Sequence, residues 1–425
     1  MTSAIQPLLT VRYGEFMNPL PSVDTIAAFA PFVPPKSREG RSYNFPVRLG
    51  LPHGVTFDDT KTAFSLGAVV AATTSEATLS GASVVVRDNV AYSDVFATQN
   101  GISNGGGAGG AYFEAFDYCT TGLMQSGELY REAQLIYGPG PSSTAAANIG
   151  IVNASVSGAN VGATQVVNIT RETWAPGLWP NLIGATVDVY QTDATTVRIA
   201  GCTVTAMDES QNRLSLFKSG SSVTVAANDI LLLRSNIDVS CYGLQSICAN
   251  TGTLFGISAS TYPQWKVASY SAGDLPLDRR GILQLCARQV GRGHKGGGTL
   301  YVSGTCVADL IDEAAELHRD NDAPDTIVHG ATGVTYKTPI GPVEVKVHPY
   351  FKQGIGMLLP KGKVKRTGST DLTFNNGKNE WFYMELPDNA GSQLRIFTEQ
   401  AVVIESPWHA VYLTDIQSTG DTLPT

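Results

Sequence analysis

The sequence predicts an α+β protein of several sub-domains, and three observations carry that prediction. Residues 333–416 are a succession of short alternating or β-branched runs cut by Gly and Pro, the pattern of antiparallel strands with one buried face. Residues 111–137 place Tyr112, Phe116, Cys119, Leu123, Tyr130 and Ala133 along one face of a helix. Residues 162–234 turn to strand-like runs throughout, at the close spacing of a small all-β barrel or sandwich. A chain of 425 residues exceeds what one hydrophobic core organises, so roughly two to four sub-domains are expected.

Residues 1–45 are Pro-rich (Pro7, Pro19, Pro21, Pro31, Pro34, Pro35) and read as an extended arm with one short helix near 23–28. Residues 46–94 hold two strand-like runs, 47–58 and 77–87, separated by a polar stretch rich in Ala and Thr. As a hairpin they project from any core, and a hairpin with no sheet to lean on is marginal in water unless a neighbouring subunit covers it. Residues 101–110 are a glycine-rich hinge or spacer, without the Gly-Lys-Ser/Thr ending of a phosphate cradle. The helix over 111–137 contains Gly122 and Gly127, each costing about 1 kcal/mol relative to Ala, and Gly138-Pro-Gly-Pro stops it.

The β-rich segment comes next, with Trp174 and Trp179 expected to plug one end; at about 70 residues it is large enough to fold alone. Residues 236–331 are mixed: a short helix within 241–250, an aromatic-anchoring turn over 259–265, a helix over 277–291 and a strand over 299–302. A helix over 307–319 closes that segment, with Asp309, Asp312 and Glu313 early and His318 and Arg319 late, matching its dipole.

Composition narrows the function classes. Charged residues make up only 16% of the chain, below the roughly 25% usual for soluble proteins, so either much surface is covered by partners, as in the subunits of a closed assembly, or a bland polar surface is exposed. A net charge of −8 and a pI near 5.3 argue against an electrostatic grip on nucleic acid. The six cysteines (Cys119, Cys202, Cys241, Cys248, Cys286, Cys306) lack any Cys-x-x-Cys pair and read as free, packed thiols in a reducing compartment. Met1-Thr-Ser-Ala-Ile-Gln has no secretory pattern, and no run reaches the ~20 apolar residues of a membrane span.

No constellation assigns a catalytic, cofactor-binding or metal residue. Arg292-Gly-His-Lys-Gly-Gly-Gly-Thr299 has the composition of an anion loop but fails the phosphate-loop spacing, and a strand follows it. The histidines (His53, His294, His318, His329, His348, His409) never fall at ligand spacing. Asp58-Asp59 and Asp312-Glu313 are adjacent pairs whose side chains diverge, so neither makes an acid–base couple alone. Lys361, Lys363, Lys365 and Arg366 form the one basic cluster. It is assigned to a contact with carboxylates of another subunit, with phosphate and a solvated loop as the competing readings. The full set expected between subunits is Arg48, Asp58, Asp59, Lys61, Glu76, Arg87, Lys361, Lys363, Lys365 and Arg366.

Three stretches carry a family likeness: Thr253-Leu-Phe-Gly-Ile-Ser-Ala-Ser-Thr-Tyr-Pro-Gln-Trp265, the closing Glu405-Ser-Pro-Trp-His-Ala-Val-Tyr-Leu-Thr414, and Trp174-Ala-Pro-Gly-Leu-Trp179 with the strand at 184–190. With the order of elements, they resemble the major capsid proteins of tailed bacteriophages, of the Hong Kong 97-type capsid fold, in a form with an inserted β-rich domain. The resemblance implies an N-terminal arm (1–45), an E-loop hairpin (46–94) and a P-domain with its spine helix (95–160). An inserted β-domain (161–235), an A-domain (236–331) and return strands with the C-terminus (332–425) would follow.

It implies a non-enzymatic, cofactor-free structural protein that self-assembles from hexamers and pentamers into the icosahedral head shell. The expected location is the virion capsid, after synthesis in the host cytoplasm. A charged helical N-terminal scaffold is absent, which points to a separate scaffolding protein; a portal and a decoration protein are the further partners the resemblance implies, and the net charge of −8 with one basic cluster suits weak nonspecific contact with packaged DNA. No membrane partner is implied. Some members join an E-loop lysine to an asparagine; Lys61 with Asn375 or Asn376 is the evident match, and no required cross-link is expected. A β-rich tail or receptor-binding protein and a hydrolase with an accessory β-domain are the alternatives.

Overall fold

A computed structural model describes residues 26–34, 42–57, 66–91, 108–140, 147–158, 161–319, 334–338, 341–374, 383–386 and 390–421. The longest helix, Ala108–Tyr137, lies against a four-stranded sheet made of Ala82–Ala91, Val364–Thr373, Tyr383–Glu385 and Gly391–Ile404. Leu123 packs there on Leu394 and Ile396. Gly127 has a packing reason: a Cβ at that position would come within 3.1 Å of Leu372 and 3.3 Å of Ile396. Nothing stands within 4 Å of a Cβ at Gly122, so the close approach explains one of the two helix glycines and not the other.

The run expected as the second hairpin strand divides at Gly81. Thr74–Ser80 pairs with Ser42–Arg48 in a two-stranded sheet, whereas Ala82–Ala91 pairs with Gly391–Ile404 over ten positions. Gly81 sits at the junction because a Cβ there would press on Tyr43 (3.2 Å) and Glu399 (3.4 Å). The hairpin proper is therefore shorter than 46–94, and its base is packed: Tyr43 and Leu79 are fully buried, and Thr78 N–H donates to Phe255 O at 3.0 Å.

A six-stranded mixed sheet orders its strands Ala268–Leu275, Val411–Ile416, Gly356–Pro360, Gly298–Val302, Gly341–Val347 and Val334–Thr338. It thus draws on both 236–331 and 332–425, so the contiguous blocks read from the sequence interleave in space. Period-two alternation divides its faces. Leu300, Val302, Leu358, Val411 and Leu413 meet the helices Arg279–Gly291 and Gly304–Arg319, while Tyr301, Met357, Leu359 and Tyr412 join the larger core. The helix Arg279–Gly291 is capped by Asp278, whose side chain accepts from Gly281 N–H.

Residues 150–233 form a second six-stranded sheet, all antiparallel, with Gly150–Ile151 and Gln165–Asn168 as its outer strands. Those outer strands meet through the Val152–Ile169 bridge and the Asn153 N–H to Asn168 O and Thr170 N–H to Ile151 O bonds, so the sheet closes into a small barrel. Its first strand lies N-terminal to the 162 boundary expected from the sequence. Trp174 and Trp179, ring centroids 6.0 Å apart and both fully buried, fill the space between the barrel and residues 349–355. Backbone bonds hold that seam: Gln353 N–H to Trp174 O (2.9 Å), Gly177 N–H to Pro349 O (3.1 Å) and Gly354 N–H to Glu172 O (3.1 Å). Barrel interior, hairpin base and one face of the mixed sheet share one continuous apolar cluster.

Candidate assembly surfaces

Beyond its packed base the hairpin continues through the His53–Val70 bridge to a tip that leaves large apolar side chains bare. Phe57 is 93% exposed, Val69 84% and Leu66 82%, with Leu51, Val55 and Val70 also exposed. So many bare apolar side chains on one projection mark a binding surface. Of the residues expected between subunits, Arg48 and Glu76 are exposed on the hairpin, opposite Thr74 and Pro46. Arg87 is exposed on the strand Ala82–Ala91, where its register partner is Arg395. Asp58, Asp59 and Lys61 lie outside the described residues.

The lysines of the basic cluster lie in and beside the turn linking Gly356–Pro360 to Val364–Thr373, with Gly362 at φ 71° in that turn. Two glutamates bridge them on the same chain. Glu344 stands 3.7 Å from Lys346 and 3.7 Å from Lys361, and Glu405 stands 3.6 Å from Lys363 and also pairs with Lys365. All of these groups are well exposed, so each pair contributes roughly 0–1 kcal/mol and stays free to exchange partners.

Arg366 departs from its expected place in that cluster. It is buried and clasps its own chain: Nε donates to Ala30 O (2.8 Å), Nη2 to Ala27 O (3.1 Å), and Nη1 to Asp371 Oδ1 (2.9 Å) and Gln400 Oε1 (2.8 Å). Its backbone brackets the same arm segment, through Arg366 N–H to Pro31 O (3.0 Å) and Val33 N–H to Arg366 O (2.8 Å). Alternation explains the difference, since Lys363 and Lys365 point outward and Val364 and Arg366 inward.

Two further polar groups, buried in the core, had no local sequence signal. Lys352 is fully buried, donating to Asn148 Oδ1 (2.9 Å) and Gln245 Oε1 (3.0 Å) over the Tyr137 ring; desolvation pushes its pKa well below the usual lysine value. His348 Nδ1 accepts from Tyr350 N–H, which leaves Nε2 as the donor to Glu132 Oε1 at 3.1 Å. Ile26 N–H donates to that same oxygen, tying the arm to the long helix.

The glycine-rich stretch 292–299 is a helix-to-strand connection, packed at His294 and over 297–299 and exposed at Gly293, Lys295 and Gly296. His294 Nε2 donates to Gly297 O (2.9 Å), its ring lies 5.2 Å from that of His409, and a Cβ on Gly297 would come within 2.4 Å of Pro342 O. All six cysteines are free and buried, and desolvation pushes the Cys241 and Cys248 thiols up to about 12. Among the described residues no three His, Cys, Asp or Glu side chains are placed to hold a metal ion, and no helix is long and apolar enough to cross a membrane.

No protein-family model and no curated protein matches the chain. Among solved structures it is similar over nearly its whole length to the capsid asymmetric unit of cyanophage A-1(L), at 14% identity and a TM-score of 0.49, covering 96% of this chain and 97% of that one. It is also similar to the capsid of a native GTA particle (7% identity, TM-score 0.47, 96% and 95% covered) and to Mycobacterium phage Bobi (11%, 0.40, 97% and 99%).

Proposed function

We propose that copies of this chain build the icosahedral head shell of a tailed phage, assembling with one another as hexamers and pentamers. The observation that carries this reading is the hairpin: a base fastened into the subunit core, and a tip whose Phe57, Leu66 and Val69 are bare. A monomer gains nothing from such a projection, whereas a shell subunit covers it with a neighbour. Element order supports the reading, since an arm segment, the hairpin, the long helix, the barrel and the mixed sheet follow one another as the capsid resemblance implies. The solved structures named above include capsids, in keeping with a reading that does not rest on them.

In this reading the protein is non-catalytic and resides in the virion capsid after synthesis in the host cytoplasm. A separate scaffolding protein, a portal and a decoration protein are its further partners. The exposed lysines, Arg48, Glu76 and Arg87 set contacts between copies, and DNA contact is weak. The helices Ala108–Tyr137 and Arg279–Gly291 fit the shell better than a β-rich tail protein. Negative-stain microscopy and size-exclusion chromatography of the purified protein test it: rings or closed shells are expected, and a concentration-independent monomer would overturn it.

A further inference from the structure

We propose that this chain meets the phosphate backbone of nucleic acid at one patch, Lys266, Arg288, Arg292 and Lys295, at the C-terminal end of the helix Arg279–Gly291. The proposal rests on the shell reading and gives its weak DNA contact a site distinct from the lysine turn at 361–365. Lys266, Arg288 and Lys295 are exposed, and Arg292 is half-buried. Among the described residues none of these four pairs with a carboxylate, whereas Lys361, Lys363 and Lys365 are each paired with Glu344 or Glu405. Most of the surface of a chain with net charge −8 repels a polyanion, so contact falls where cations stand uncompensated.

The fold gathers the patch from separate segments. Arg292 Nη1 donates to Lys266 O (3.3 Å) and Trp408 O (3.1 Å), and its Cζ lies 4.0 Å from the centre of the Trp408 ring. One turn earlier on the helix, Arg288 Nη1 donates to Ser269 O and its Cζ lies 5.0 Å from the centre of the Tyr270 ring. Each guanidinium is thus anchored through one nitrogen and stacked on a half-buried ring, which holds its plane and leaves Nε and Nη2 without a partner among the described residues. A fork held this way is preorganised for phosphate oxygens. Lys295 follows in the loop to the strand Gly298–Val302, between the exposed Gly293 and Gly296. Nothing stands within 4 Å of a Cβ at Gly293, and only the His294 ring, at 3.9 Å, approaches one at Gly296, so a phosphate can come close to this backbone. The local field is positive. Burial and then the Arg288 charge pull the Arg292 pKa below the usual arginine value, and burial and then His294, Lys363 and Arg292 push that of His409 down. Trp408 and Tyr270 interleave aromatic rings with the cations, which favours a nucleic acid over an acidic peptide as the occupant.

Fluorescence anisotropy of a labelled DNA duplex, titrated with unassembled subunits from about 50 to 200 mM salt, tests the site. Lys266→Ser combined with Lys295→Ser removes two exposed charges and leaves the arginine anchors in place. The log–log salt slope should become shallower by about 1.8, and affinity at the lowest salt should fall about tenfold or more, with the unfolding midpoint and particle formation unchanged. Serine at Lys361, Lys363 and Lys365 should alter neither slope nor affinity. An unchanged slope in the Lys266/Lys295 variant, a slope lost with the 361–365 lysines instead, tighter capture of a polyglutamate peptide than of the duplex, or no measurable binding by the native chain would overturn the site and leave the shell reading standing. Native protein that binds the duplex through Lys266 and Lys295 but never forms particles would remove the shell reading and leave the phosphate site.

Discussion

Replacing Arg366 with Met should free the arm and destabilise the subunit, in contrast to the neighbouring lysines, whose loss should be felt only between copies. Methionine keeps the apolar stem and the backbone bonds to Pro31 and Val33, and removes four side-chain bonds to Ala27 O, Ala30 O, Asp371 and Gln400. Hydrogen bonds from a charged donor contribute about 1.5–3 kcal/mol each and are not additive when they share one group. Asp371 is half-exposed and keeps Arg131 at 3.2 Å, so its charge is not stranded. The expected cost is therefore about 3–5 kcal/mol, the range for breaking a buried charged contact.

The effect should depend on pH. Burial by itself would raise the Asp371 pKa, and the bond from Arg366, the Leu372 N–H and the Arg131 field bring it below the usual carboxylate value. A depressed carboxylate adds stability above its unfolded pKa, so the advantage of the native chain over Arg366→Met should be complete above about pH 4 and shrink below it. Urea unfolding, read as a shift of the midpoint because a multi-sub-domain chain need not be two-state, gives the magnitude. Limited proteolysis within residues 1–34 reports the arm. An Arg366→Met protein with an unchanged midpoint and a protected arm, failing only in assembly, would return Arg366 to the subunit contact and refute the clasp.

Other expectations follow from the same geometry. Lys352 has a folded pKa below its unfolded value, so the native chain should gain stability relative to Lys352→Met as pH rises from the folded pKa toward about 10.4, by at most about 1.4 kcal/mol per pH unit; parallel urea titrations with no pH-dependent difference would contradict its burial. Residues 160–236 expressed alone should show no cooperative thermal transition and quenchable tryptophans, because they lack Gly150–Ile151 and the 349–355 cover; a sharp transition with shielded tryptophans would restore the separable domain that the sequence suggested. Serine at Lys361, Lys363 and Lys365 should lower capsomer yield without moving the unfolding midpoint. Free subunits should bind duplex DNA weakly before and after that change, and submicromolar, salt-sensitive binding lost with the lysines would assign them to the genome.

What could be read from the sequence divides along the range of the interactions. Helices are local, and the pattern over 111–137 located one found at Ala108–Tyr137, as 277–291 located Arg279–Gly291. Strand identity was also legible, but strand partners were not. Nothing between Ala77 and Arg87 says that pairing changes sheets at Gly81, because the cause is Tyr43 and Glu399 far away in the chain. Gly150–Ile151 is two residues long, below any pattern length, and counts as a strand only because Leu231 and Ile230 stand opposite. Arg366 looked like its lysine neighbours since composition cannot tell an inward residue from an outward one; the alternation Lys363, Val364, Lys365, Arg366 held the clue. Lys352 had no cue, its partners Asn148 and Gln245 lying 204 and 107 residues away.

Core continuity constrains how such a subunit assembles. The large apolar cluster runs from Ile26 in the arm through Tyr43 and Leu79 in the hairpin base and Trp174 in the barrel to Tyr412 in the mixed sheet, whose other face is covered by the chain's own two helices. Nothing in that cluster waits for a partner, so the subunit can fold before it meets a copy. The bare apolar surface is concentrated instead on a projection that is rigid at its base. On the shell reading, assembly is docking of pre-folded parts with little ordering entropy to offset at the core, and interface changes should appear in dissociation more than in encounter. Tip substitutions such as Phe57→Ser should therefore shift the concentration at which particles form and leave the unfolding midpoint of the isolated subunit unmoved. A midpoint that falls with the particle yield would mean that the tip also holds its own subunit together, and that folding and assembly are one process.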